Sequence, residues 1–226
     1  MRVSVLCYSI TVFAAYLLGA IPTGYLVGRA KGVDIRTVGS KNMGATNVFR
    51  TVGKALGIFV LLVDALKGYA ACAFIAPLVF NWLAPHFSGL FVSFQNEPVE
   101  FQLRFKVIAG VGAILGHNYT CWLNFKGGKG IATTAGVMGA LVPWALLIVV
   151  IVFAVLFAAT RYVSVGSIAG AAALPFATWF TTQNTGLTII TGALGALAIV
   201  KHKKNIQRLM AGTENRIEFK TKEAAK

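Results

Sequence analysis

The chain has 226 residues, 57% of them hydrophobic and 12% charged, with a formal net charge of +14. A soluble domain carries about 25% charged residues, so this composition excludes an ordinary soluble fold and points to a membrane protein with several spans. In a soluble chain the positive excess would suggest nucleic acid; among apolar spans it marks loops facing the cytoplasm and anionic lipid, and no nucleic-acid partner is expected.

The first apolar run starts behind Arg2 and continues through Val27. A bilayer crossing needs about 20 residues, so a retained helix is expected here instead of a cleaved secretory signal. Hydrophobic segments are predicted over residues 4–28, 54–84, 106–119, 130–142, 144–160, 163–182 and 186–202. The third and fourth are short for full spans and are expected to be tilted, partly re-entrant or flanked by protein. Pro143 divides the fourth from the fifth, and a polar stretch from Thr181 to Gly186 divides the sixth from the seventh. Cys7, Cys72 and Cys121 form no CxxC pair, which gives neither a disulfide framework nor a metal set.

The bases set the orientation. Connections at 29–53, 120–129 and 161–162 hold Arg29, Lys31, Arg36, Lys41, Arg50, Lys126, Lys129 and Arg161, and a basic tail follows from Lys201. The opposite side keeps only Arg2, Arg104 and Lys106, offset by Glu97 and Glu100. The bias places the N-terminus outside and the C-terminus in the cytoplasm. The expected fold is an all-α integral membrane protein of about seven transmembrane helices: one transmembrane domain over 1–214 and a basic cytoplasmic tail over 215–226.

Three polar segments fall on the cytoplasmic side. Gly39 to Arg50 packs Ser40, Lys41, Asn42, Thr46, Asn47 and Arg50 into a dozen residues. Arg binds phosphate bidentately and the hydroxyls and amides add directional hydrogen bonds, although an interhelical loop with Thr46 or Asn47 as an N-cap has the same composition. The second runs from Gly116-His117-Asn118 to Asn124-Phe125-Lys126-Gly127-Gly128-Lys129-Gly130 and Thr133. Glycines let backbone N–H groups converge on an anion, and a helix starting near Ile131 would add its positive end. Lys129 is followed by Gly130 instead of Ser or Thr, so the loop is not a Walker A motif and ATP hydrolysis is disfavoured. His117 can be a proton carrier or a hydrogen-bonded structural residue. The third, Lys201-His202-Lys203-Lys204-Asn205 to Arg208, is also what a positive-inside anchor looks like. Asp64 and Lys67, at i and i+3 in the second segment, are expected to form a structural pair that braces the site.

Together these segments resemble the bacterial acyl-phosphate-dependent glycerol-3-phosphate acyltransferase family. Its first motif is similar to Gly39–Arg50, with Lys41 where the family has glycine; its second to Gly116–Thr133, with Thr120 at the family's proline; its third to His202–Leu209. The outer connection around residues 85–104 is longer than the family pattern. The resemblance implies a bacterial inner-membrane enzyme, with no metal, no cofactor and no obligatory protein partner. It would move the acyl group of an acyl phosphate to the 1-hydroxyl of glycerol 3-phosphate at the cytoplasmic face. It further implies catalytic roles for Ser40, Lys129 and His117. Substrate contacts would come from Ser40, Asn42, Thr46, Asn47, Arg50, Lys126, Gly127, Gly128, Lys129, Gly130, His202 and Asn205. The rival reading, a transporter for an organophosphate anion, would use the same cations; but the sequence has no internal repeat, and its polar clusters gather at one face.

Overall fold

The computed structural model describes residues 2–83 and 98–217. Among these the chain is helical: α1 (Arg2–Ala20), α2 (Thr23–Ala30), α3 (Ala45–Thr51), α4 (Lys54–Ala70), a π-helical turn (Ala71–Ile75), α5 (Ala76–Leu83), α6 (Pro98–Asn118), a 3-10 turn (Cys121–Leu123), α7 (Ile131–Leu141), α8 (Pro143–Thr160), α9 (Val163–Thr182), α10 (Thr185–Lys201) and α11 (Lys203–Met210). The run Leu146-Leu147-Ile148-Val149-Val150-Ile151-Val152 is rich in residues that favour strands in water, yet it lies inside α8. Hydrocarbon reverses that preference, because a lone strand cannot satisfy its own backbone and a helix can. By length and composition four helices can cross a membrane, at Val5–Ala30, Lys54–Trp82, Pro143–Thr160 and Val163–Thr182, and a fifth if α10 and α11, bent by 54°, count as one span.

Among the described residues, helix occupies most of each of the seven predicted hydrophobic segments, the first being divided into α1 and α2 at Ile21–Pro22. The third differs in extent: α6 begins at Pro98, so residues 98–104 belong to a helix and not to the outer connection. Proline is tolerated in a first helical turn, and the Glu100–Arg104 ion pair (2.7 Å, i,i+4) lets a charged turn continue the helix. The rest of that connection, 84–97, lies outside the described residues. The fourth, α7, has only 11 residues.

The chain forms two compact units, Met1–Pro143 and Trp144–Lys226. In the first unit, Cys7, Ala15, Ala71, Ala76, Phe80, Phe105, Ala109 and Ala113 form one buried cluster. A second cluster, Ile35, Met43, Val48, Val60 and Leu123, ties the loop before α3 to α4 and to the 3-10 turn after α6. Helices α4 and α7 meet backbone to backbone, since a Cβ at Gly68 would strike the Thr133 carbonyl and one at Gly136 the Ala65 carbonyl. Lipid gives apolar helices little reason to associate, so such close approach carries the packing. In the second unit, Asn184 caps α10 by accepting from the Leu187 amide (2.9 Å). Thr178, Thr181 and Thr182 return their hydroxyls to carbonyls one turn back in α9.

Candidate active site

The loop before α3 is organised by Asn47. Its Nδ2 donates to the carbonyls of Ile35 (2.8 Å) and Val38 (3.2 Å), and its Oδ1 accepts from the Ser40 amide (2.9 Å). Asn47 is 2% exposed, and these bonds make it the brace that presents Ser40. Asn42 Oδ1 accepts from the Gly44 amide (2.8 Å), an Asx turn that leads into α3. Thr46 and Arg50 follow on α3, both half-buried. Lys41 is exposed and left-handed, with φ of 57°. Upstream, Arg36 pairs with Asp34 at 2.8 Å, and its hydrogen bonds hold the Asp34 pKa down at about 2.

The second segment is seated on the end of α6. The amides of Gly127 and Gly128 donate to the carbonyls of Asn118 (3.2 Å) and His117 (3.0 Å). Two N–H groups expected to face an anion are therefore committed inside the protein. Gly128 lies directly on the His117 imidazole, where a Cβ would collide with Nε2. Gly130, at φ of 81°, packs on Asn118 in a conformation that favours glycine, and α7 starts at the next residue. The first amides of α7 thus lack intrahelical partners, as at every helix start. Lys126 is exposed and Lys129 half-buried. Asn124 and Phe125 are both left-handed, at φ of 52° and 59°, and local strain of this kind collects at functional loops.

Beneath the loop, His117 is 3% exposed and its Nδ1 lies 3.7 Å from Asp64 Oδ1. The Asp64–Lys67 pair expected from the sequence is present at 2.8 Å, fully inside the protein. Thr133, in the first turn of α7, is 0% exposed, and its hydroxyl oxygen has no hydrogen-bond partner among the described residues.

The third segment belongs to the second unit. His202 closes α10, with Nδ1 at 2.8 Å from the Ala198 carbonyl; the proton on that nitrogen fixes the tautomer. Asn205 Nδ2 donates to Glu214 Oε1 (2.7 Å), Ser164 Oγ donates to the same oxygen (2.8 Å), and Arg208 Nε donates to Oε2 (2.6 Å). Burial alone would raise the Glu214 pKa; the donors Asn205, Arg208 and Ser164 outweigh it and hold the group below the ordinary carboxylate value. The amide of Ile217 bonds to the Arg161 carbonyl (3.0 Å), so the chain past 214 is still packed on this unit.

Ser40, Asn42, Thr46, Asn47, Arg50, His117, Lys126, Gly127, Gly128, Lys129 and Gly130 all lie in the first unit, where Leu123 of the 3-10 turn packs with Ile35 and Met43 of the loop before α3 and with Val48 of α3. His202 and Asn205 lie in the second unit. Sequence reasoning missed two relationships: Glu214 as the hub of the third segment, and Asp64 as the neighbour of His117. A buried carboxylate within reach of several donors is the signal in each case, and it exists only once the helices are packed. Among the described residues no group of three His, Cys, Asp or Glu side chains is arranged to hold a metal ion.

A family model described as glycerol-3-phosphate acyltransferase matches residues 9–212. A glycerol-3-phosphate acyltransferase of Trichlorobacter lovleyi is 43% identical over 202 residues, covering 89% of this chain and 93% of that protein. One from Fusobacterium nucleatum is 41% identical over 205 residues, covering 90% and 95%. The crystal structure of PlsY, an integral membrane glycerol 3-phosphate acyltransferase, in its glycerol 3-phosphate form is similar with a TM-score of 0.79 at 33% identity, covering 93% of this chain and 96% of that one. Its lysophosphatidic acid form gives 0.75 at 31% identity, covering 93% and 95%. With most of its length matched, this chain belongs to the glycerol-3-phosphate acyltransferase family.

Proposed function

We propose that the protein transfers the acyl group of an acyl phosphate to the 1-hydroxyl of glycerol 3-phosphate, releasing lysophosphatidic acid and inorganic phosphate. It does so at the cytoplasmic face of a bacterial inner membrane, as a single seven-span domain over 1–214 with its N-terminus outside and a basic cytoplasmic tail over 215–226. Family membership and the solved relative's glycerol 3-phosphate and lysophosphatidic acid forms support the acceptor and the product. The observation that carries the reading is a glycine loop with Lys126 and Lys129, set at the start of α7 in the same unit as Ser40 and Arg50.

Both substrates carry phosphate, so two cationic subsites are needed, and one substrate has an acyl chain that belongs in the bilayer. The acceptor oxygen attacks the carbonyl carbon; the bond from that carbon to the bridging oxygen breaks, and phosphate leaves with the electron pair. An acyl phosphate is already activated, so the protein supplies position and charge stabilisation. In this reading Lys129, Gly130 and the first amides of α7 hold the donor phosphate, Gly127 and Gly128 seat that loop on the end of α6, and Lys129 is shared with the acceptor. Ser40, Arg50 and Lys129 hold glycerol 3-phosphate, with Asn42, Thr46 and Lys126 nearby and Asn47 acting through Ser40. His202 and Asn205 are assigned to the acceptor by their places in the third motif. The hydroxyl proton passes to a substrate phosphate. The burial of His117 between Gly128 and Asp64 favours support of the loop over proton transfer.

The test is purified protein incubated with acyl phosphate and glycerol 3-phosphate, following phosphate release and lysophosphatidic acid. Formation of both is expected. Turnover with acyl-CoA but not acyl phosphate would overturn the donor assignment, and turnover with neither would overturn the acyltransferase reading.

A further inference from the structure

A carboxylate and an ammonium buried in a membrane protein are expensive, and replacing such a pair by apolar residues is often neutral or stabilising. Bundle stability is therefore a weak reason for Asp64 and Lys67, which are 2% and 4% exposed. Their surroundings give a stronger one. Asp64 Oδ1 is a focus for three helices: Thr23 of α2 donates to it (3.1 Å), Lys67 of α4 lies at 2.8 Å, and His117 Nδ1 of α6 at 3.7 Å. Lys67 Nζ also donates to the Ile21 carbonyl at the break between α1 and α2 (3.0 Å), which fixes the ammonium from a second side. The other nitrogen of the His117 ring, Nε2, faces Gly128. The His117 carbonyl accepts the Gly128 amide, so ring and backbone of one residue both carry the loop.

We propose that Asp64 is a positioning residue for the Gly127–Gly130 loop, acting through the His117 ring. At 3.7 Å the carboxylate acts on the Nδ1 side of the imidazole by electrostatic attraction, beyond hydrogen-bond distance, and the Nε2 side sets how close Gly128 can come. Lys67 and Thr23 hold the carboxylate still. The catalytic consequence rests on reading that loop as the phosphate cradle; the structural consequence does not.

The discriminating variant is Asp64→Asn/Lys67→Met, which removes both charges together and leaves no unpaired buried ion. Its melting temperature is expected to stay close to wild type. The amides of Gly127 and Gly128 should exchange with solvent about tenfold faster while those of α6 keep their protection. With acyl phosphate and glycerol 3-phosphate, kcat/KM should fall about tenfold or more. Wild-type exchange at Gly127 and Gly128 overturns the proposal, whether or not activity changes, because the loop then does not depend on the pair. Should the double variant fail to fold, Asp64→Glu keeps the charge pair but shifts the oxygen, and the same two readouts apply: faster loop exchange supports the proposal and unchanged exchange sinks it. If the wild-type protein shows no acyl transfer, the functional reading fails while the exchange measurement still decides the structural one.

Discussion

Lys41 occupies a backbone conformation that a side chain resists, and relieving it should stabilise the protein. Its φ of 57° puts Cβ against the following carbonyl oxygen, at a cost of about 1–2 kcal/mol for an L-residue. Lys41→Gly removes that cost but frees the unfolded chain, which returns about 0.4–1 kcal/mol. The net expectation is a gain of about 0.5–1 kcal/mol. For a chain of this size that raises the melting temperature by about 1–4 °C. Lys41 is exposed, so loss of its charge contributes little. The assay is thermal unfolding of wild type, Lys41→Gly, Lys41→Asn and Lys41→Ala in one detergent. The glycine variant should be the most stable, asparagine next because it tolerates this region, and alanine no better than lysine. An alanine variant that gains as much as glycine would refute the backbone argument, because the effect would then come from the lysine side chain. Turnover of Lys41→Gly should equal or exceed wild type, since the change relaxes the loop that presents Ser40.

Three further changes test other parts of the structure. Asn47→Asp replaces two donated hydrogen bonds with repulsion against the Ile35 and Val38 carbonyls. It should cost about 2 kcal/mol or more and depress turnover together with stability, read by melting and phosphate release. Gly128→Ala pushes a methyl into the His117 ring, with an expected loss of about 1–3 kcal/mol and lower kcat/KM; an unperturbed variant would contradict the seat described for this loop. Glu214 has a depressed pKa, so its stabilisation is full above the ordinary value of 4.5 and is lost as pH falls through the lower folded value. Glu214→Gln should therefore be less stable than wild type at neutral pH. It should also show a flatter decline of melting temperature below pH 4.5.

The helices were legible because long apolar runs admit little else in lipid. Even α8, whose Ile and Val content argues for a strand in water, follows from the environment. The start of α6 was not legible: Glu100 and Arg104 read as a polar connection until the i,i+4 pairing between them is considered. The resemblance had already marked position 41, where the family's glycine answers to the left-handed backbone that Lys41 adopts. Within the site, residue types were legible and partners were not. Asn47 has the same letter whether it caps a helix, binds a phosphate or braces a loop, and only the Ile35 and Val38 carbonyls beside it decide. The glycines at 127 and 128 were expected to open amides to an anion. Their amides instead bind the end of α6, and the lack of a side chain at 128 serves close approach to a ring. The role of Glu214 was not legible, because its three donors arrive from α9 and α11.

The contact of Gly68 with the Thr133 carbonyl and of Gly136 with the Ala65 carbonyl has a mechanical consequence. Where two main chains touch at points on successive turns, neither helix can slide or roll without a collision that no rotamer change relieves. The helix bearing Asp64 and the helix that begins at the glycine loop therefore travel as one body. This pair is built as a fixed anvil, and its ligands have to come to it.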